Sequence, residues 1–107
     1  MEVIINGTAY KIRYTLRALF IFENITGKSF NVESSMEQFL FYYAILLANN
    51  PGMTMTFDDF IDACEPDAEG SDTIIKTFGD LLSAQEKKMT IMKGDGDDAV
   101  ADGEKKS

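Results

Sequence analysis

Met36-Glu37-Gln38-Phe39-Leu40-Phe41-Tyr42-Tyr43-Ala44-Ile45-Leu46-Leu47-Ala48 is the stretch on which the fold turns. From Phe39 to Ala48 every residue is apolar or aromatic. A helix with one face in water keeps polar residues on that face, so this segment predicts a helix covered nearly all round. It is too short for a membrane span, which needs about 20 apolar residues. Ser34 and Glu37 stand at capping-box spacing before it, and Asn49-Asn50-Pro51-Gly52 stops it, which sets a helix over 35–49. Two stripes can be drawn along it. Met36, Phe39, Leu40, Tyr43 and Leu47 follow one side, and Phe41, Tyr42, Ile45 and Ala48 the other. One stripe is core; the second is either core as well or a face that awaits another chain.

Upstream, residues 2–14 read as a β-hairpin. Val3, Ile4 and Ile5 are β-branched, Asn6-Gly7 is a strong hairpin-turn signal, and Tyr10, Ile12 and Tyr14 alternate with the outward Lys11 and Arg13. Thr15 can cap a helix over 16–26 that Gly27 ends. Leu16, Leu19, Phe20, Phe22 and Ile25 put apolar residues on more than one of its sides, so this helix is also expected to pack between other elements. A connector follows, with Phe30 and Val32 expected against the core. Downstream, Thr56 and Asp59 have capping spacing, and Phe57, Phe60, Ile61 and Cys64 follow a helical stripe over 57–64 that Pro66 stops. Ile74, Ile75, Phe78, Leu81 and Leu82 mark a last helix over 72–91, continued more weakly by Gln85, Met89 and Met92. Residues 93–107 carry too little apolar surface to offset the entropy of ordering, which predicts a disordered acidic tail. The fold class expected is α+β and mainly α: one domain over 1–92, with an N-terminal β-hairpin packed on about four helices.

The chain has 107 residues, 45% of them hydrophobic, enough for one small core. Its formal charge of −8, from 18 acids against 10 bases, repels nucleic-acid phosphates and anionic membranes alike. A single cysteine excludes an internal disulfide and suits a reducing compartment, and the opening residues lack a basic segment before a long apolar run, so cytoplasm is the expected location. With no histidine the usual general base is missing, and Cys64 on an apolar stripe reads as a buried, inert thiol. Seven carboxylates lie between Asp58 and Asp72 without a base among them, yet neither that segment nor the one from Asp95 has calcium-loop spacing. There is no glycine-rich phosphate loop. No catalytic residue, metal or cofactor is therefore expected. Six methionines, with Met53, Met55, Met89 and Met92 outside the expected core, suit either gap filling or an adaptable binding surface.

The run Ile5-Asn6-Gly7-Thr8-Ala9-Tyr10-Lys11-Ile12-Arg13-Tyr14-Thr15, then Leu16-Arg17-Ala18-Leu19 and Phe22-Glu23-Asn24-Ile25-Thr26-Gly27-Lys28, resembles the opening of the tail assembly chaperones of long-tailed bacteriophages and prophages. These commonly begin with an Ile-Asn-Gly-x-x-Tyr hairpin and a helix ending in Glu-x-x-Thr-Gly; the likeness covers residues 2–28. Such chaperones are often extended by a programmed frameshift near their end, and Lys105-Lys106 is compatible with an A-rich slippery codon run there. The resemblance implies a non-enzymatic role: binding the tape measure protein in the host cytoplasm, keeping it soluble, and yielding it as tail tube protein polymerises around it. Such a partner calls for apolar grooves or stripes. On exposure grounds the candidate partner face is Phe41, Tyr42 and Ile45, with Met53 and Met55 beside them, a surface that could also pair with itself as a homo-oligomer. The alternatives are a small acidic cytosolic adaptor or regulatory domain, a metal-dependent enzyme subunit using the acidic segment, and a structural tail component.

Overall fold

Asn6 and Gly7 both take positive φ, 53° and 81°, the pair that a tight two-residue hairpin turn with the right twist demands. They join β1 (Glu2–Ile5) to β2 (Thr8–Lys11), antiparallel, with Ile5 opposite Thr8 and Val3 opposite Tyr10. In this computed structural model the backbone is described for residues 1–95 and the side chains for residues 1–85. Val3, Ile5 and Ile12 point into the core, and Lys11 and Arg13 point to water as the alternation predicts. Ladder pairing stops near Lys11, where other partners take over the backbone. Asn50 Oδ1 accepts the Lys11 N–H at 2.9 Å, and Asn50 Nδ2 donates to the Lys11 carbonyl at 2.8 Å. Asn49 Nδ2 donates to the Arg13 carbonyl at 3.0 Å. Two asparagines at the end of a helix thus do what a third strand would do, and the structure adds this to the helix-stopping role read in them.

Four helices follow in the described residues: α1 (Leu16–Thr26), α2 (Ser35–Asn49), α3 (Phe57–Cys64) and α4 (Ser71–Asp95). Each expected cap on the first three is present. Thr15 Oγ1 accepts the Ala18 N–H, and Gly27 closes α1 at φ 74° with its N–H on the Glu23 carbonyl. Thr56 and Asp59 form a full capping box on α3. On α2 the box is displaced by one residue: Ser34 Oγ accepts the Glu37 N–H, but Glu37 reaches back to the Glu33 N–H, not to that of Ser34. Lys28 lies 2.7 Å from the Glu37 carboxylate and holds it below the usual carboxylate range. The last helix begins one residue earlier than its expected start and runs to Asp95, through the residues 93–95 assigned to the tail. The expected tail from 96 to 107, with Lys105-Lys106, lies outside the described residues, as do the side chains of Met89 and Met92.

Helix α2 is the centre, packed against α1, α3 and β2, while α4 packs on α3 and β1. The hairpin and all four helices contribute to one apolar cluster. Fold class is as expected: mainly α, with an N-terminal hairpin. One packing expectation is overturned. Helix α1 does not lie between other elements; it buries Ala18 and Phe22 and leaves Leu16 68% and Phe20 61% exposed. The reason is geometric, since α2 covers one side of α1 and nothing among the described residues covers the other.

Candidate partner-binding site

The stripe expected to face a partner belongs to the core. Phe41, Tyr42 and Ile45 are buried, and Met55 is nearly so. Tyr42 stacks on Phe78 with ring centroids 4.6 Å apart, and its hydroxyl accepts the Gln38 amide N–H at 2.7 Å. Met55 gives its carbonyl to the Tyr43 hydroxyl at 2.6 Å, and Met53 is half-buried against the core. Phe41, Tyr42, Ile45, Met53 and Met55 therefore do not make a continuous exposed face, for docking or for self-pairing. The stripe taken as certain core is the shallower one: Phe39, Leu40, Tyr43 and Leu47 are half-buried, and Met36 is exposed. The reversal follows from where α1 and α4 pack, because both press on the Phe41–Tyr42 side.

Phe41 nonetheless takes part in a mainly apolar hollow. It forms the floor of a cavity of 220 Å³ whose walls are Tyr14, Phe30, Val32 and Leu82, with Gln38 and Gln85 as its polar members. The sequence builds this place from four separate segments. Tyr14 stands just before α1, Phe30 and Val32 come from the connector, Gln38 and Phe41 from α2, and Leu82 and Gln85 from α4. The floor is held rigidly by ring contacts. Phe41 meets Tyr14 and Phe22 edge to face, both at 5.7 Å, and Phe30 at 4.9 Å. The backbone N–H of Phe30 is in turn held by Glu23 Oε2 at 2.9 Å, which fixes the irregular connector over the hollow. Cavities of roughly 150 Å³ lined by apolar side chains take a benzene ring. This one can therefore accept a large apolar side chain of a partner, with the two glutamines available to polar atoms at its edge. Phe30 and Val32, expected against the core, are instead 36% and 37% exposed, because they line the open side of the hollow; only the Phe30 ring reaches the core, edge-on to Phe22 and tilted on Phe41.

Other chemistry-bearing groups are arranged otherwise. Burial, and then the charge of Glu65, push the Cys64 thiol up to about 11, so it is protonated near neutral pH and a poor nucleophile. The seven carboxylates from Asp58 to Asp72 are all exposed, and among the described residues no three acids or thiols converge as metal ligands would. No described helix is long and apolar enough to cross a membrane. No family model, no curated protein and no solved structure matches the chain.

Proposed function

We propose that this protein is a non-enzymatic tail assembly chaperone of a long-tailed phage or prophage. In the host cytoplasm it binds the long, helical tape measure protein, keeps it from aggregating, and releases it as tail tube protein polymerises. The observation that carries the reading is the apolar hollow over Phe41, whose size and lining suit one large side chain from the apolar face of a helix. Its support is the likeness of residues 2–28 to the opening of that family. A formal charge of −8 helps too, because like-charged complexes stay apart while apolar partner surface is being covered. The partner surface is thus moved from the exposed stripe first expected to the hollow, with Phe41 the one residue common to both.

Val32 is the place to test it. It stands 37% exposed on the wall of the hollow, so an acid there reaches water in the free protein but meets an apolar side chain in the complex. Val32→Asp is expected to leave the circular dichroism and melting curve close to wild type and to weaken binding of tape measure helices at least tenfold, about 1.4 kcal/mol. Unchanged affinity in the folded variant overturns the assignment of the hollow.

A further inference from the structure

Three rings line the hollow, and their planes do not agree. Tyr14 stands at 74° to Phe41 with centroids 5.7 Å apart, and Phe30 at 59° and 4.9 Å. A guest ring laid along Phe41 therefore meets Tyr14 and Phe30 steeply, so offset-stacked and edge-to-face contacts, the two arrangements that aromatic pairs favour, are offered together. The volume agrees. A space of 220 Å³ exceeds the roughly 150 Å³ that takes one benzene ring, and a leucine side chain, smaller than a phenyl ring, would leave wall atoms without contacts. One wall depends on a clasp. Phe30 belongs to residues 28–33, which form neither helix nor strand, so its ring is only as well placed as its backbone. Two carboxylates, one from each flanking helix, hold that backbone: Glu23 of α1, half-buried, accepts the Phe30 N–H at 2.9 Å, and Glu37 of α2 accepts the Glu33 N–H at 2.9 Å and pairs with Lys28 at 2.7 Å. Val32 lies between the two clasped amides.

We propose that the hollow is an aromatic socket: it takes a phenylalanine, tyrosine or tryptophan side chain of the partner helix in preference to an aliphatic one, and Glu23 is the positioning residue that sets this preference by fixing Phe30. The inference rests on the hollow being the partner site and adds the class of side chain it accepts. Each well-placed aromatic pair raises affinity about two- to twelvefold beyond what its buried area gives. That gain requires rings already in place, because a wall that must be ordered during binding takes the ordering entropy out of the affinity.

Phenol and cyclohexanol test it without any partner protein. They are of nearly the same size and share a hydroxyl, which Gln38 and Gln85 at the edge can meet in either case, so a merely hydrophobic hollow binds the two alike. Followed by the methyl signals of Val32 and Leu82, phenol is expected to saturate the full chain at least about threefold more tightly than cyclohexanol. Glu23→Ala leaves a good helix former in the last turn of α1 and takes a negative charge from the negative end of its dipole, so the melting curve is expected to hold. Its preference for phenol is expected to fall below about twofold. Glu23→Gln, whose amide oxygen can still accept the Phe30 N–H, is expected to restore the preference. Equal binding of the two probes, tighter binding of cyclohexanol, or no shift from either at about 20 mM overturns the socket. A Glu23→Ala variant that keeps the full preference overturns the part given to Glu23. Tape measure helices that fail to bind while phenol is preferred would instead overturn the proposed function and leave the socket to another aromatic-bearing partner.

Discussion

Ile45→Asp is expected to cost about 6–7 kcal/mol near neutral pH, a large share of the stability of a domain this size. Ile45 is fully buried in the middle of α2, within the apolar core cluster. A carboxyl placed there has its pKa raised by lost hydration, to about 8–9 in documented buried sites. Holding it neutral at pH 7 against a reference near 3.9 costs about 4 kcal/mol. Loss of the buried isoleucine side chain adds about 2–3 kcal/mol. A domain of about 95 residues has roughly 5–14 kcal/mol of stability in all. The sign of the pH effect follows from the raised folded-state value. The carboxyl penalty is absent below the unfolded pKa and grows as pH rises above about 4, so the difference from wild type is expected to be smallest at acid pH. Urea titrations at about pH 4 and pH 7 read this directly. A variant that melts like the wild type at pH 7 would show that this side of α2 is open to water, as the sequence alone allowed.

Phe78→Ala carries the second large effect. Phe78 is fully buried on α4, stacked on Tyr42 at 4.6 Å and edge-on to Phe60 at 5.9 Å, so it ties α4 to both α2 and α3. Removing a buried phenyl ring costs about 3–5 kcal/mol through lost transfer energy and the cavity left behind. In a domain of this size that is a fall in melting temperature of about 12 °C or more. The denaturation midpoint is expected to drop while the slope stays constant. Phe20→Ala is the matching control: the same residue type, exposed on α1, is expected to change stability by no more than about 0.5 kcal/mol. Equal effects at the two positions would contradict the packing described.

What the sequence disclosed was local. The Asn6-Gly7 turn, the Thr15 cap, the Gly27 stop and the Thr56–Asp59 box are each set by residues within a few positions of one another, and each is present. The uniformly apolar run from Phe39 to Ala48 also announced a central helix, because no one-sided helix can carry it. Depth around that helix was not legible. Phe41 and Tyr42 are buried by Phe22 and Phe78, which lie far away along the chain, and periodicity within one helix says nothing about which side such partners choose. The exposure of Leu16 and Phe20 was misread for a related reason: hydrophobic residues favour burial, but a chain this short has too few elements to cover both sides of α1. Asn49 and Asn50 were legible as a stop, while their bonds to the backbone of Lys11 and Arg13 span more than 35 residues and leave no local pattern. The hollow over Phe41 draws on four segments and could be seen only once they were assembled.

The proposed chaperone role requires a tape measure protein in the same genome, and a methyl and aromatic NMR titration of the protein with helical segments of that partner tests the proposal most directly. Binding in the hollow predicts that the methyl signals of Val32 and Leu82 and the ring signals of Phe30 and Phe41 shift together and saturate with one affinity, while those of the α3 face do not move. Saturable shifts confined to other surfaces, or no shifts at concentrations where such helices are kept in solution, would contradict it.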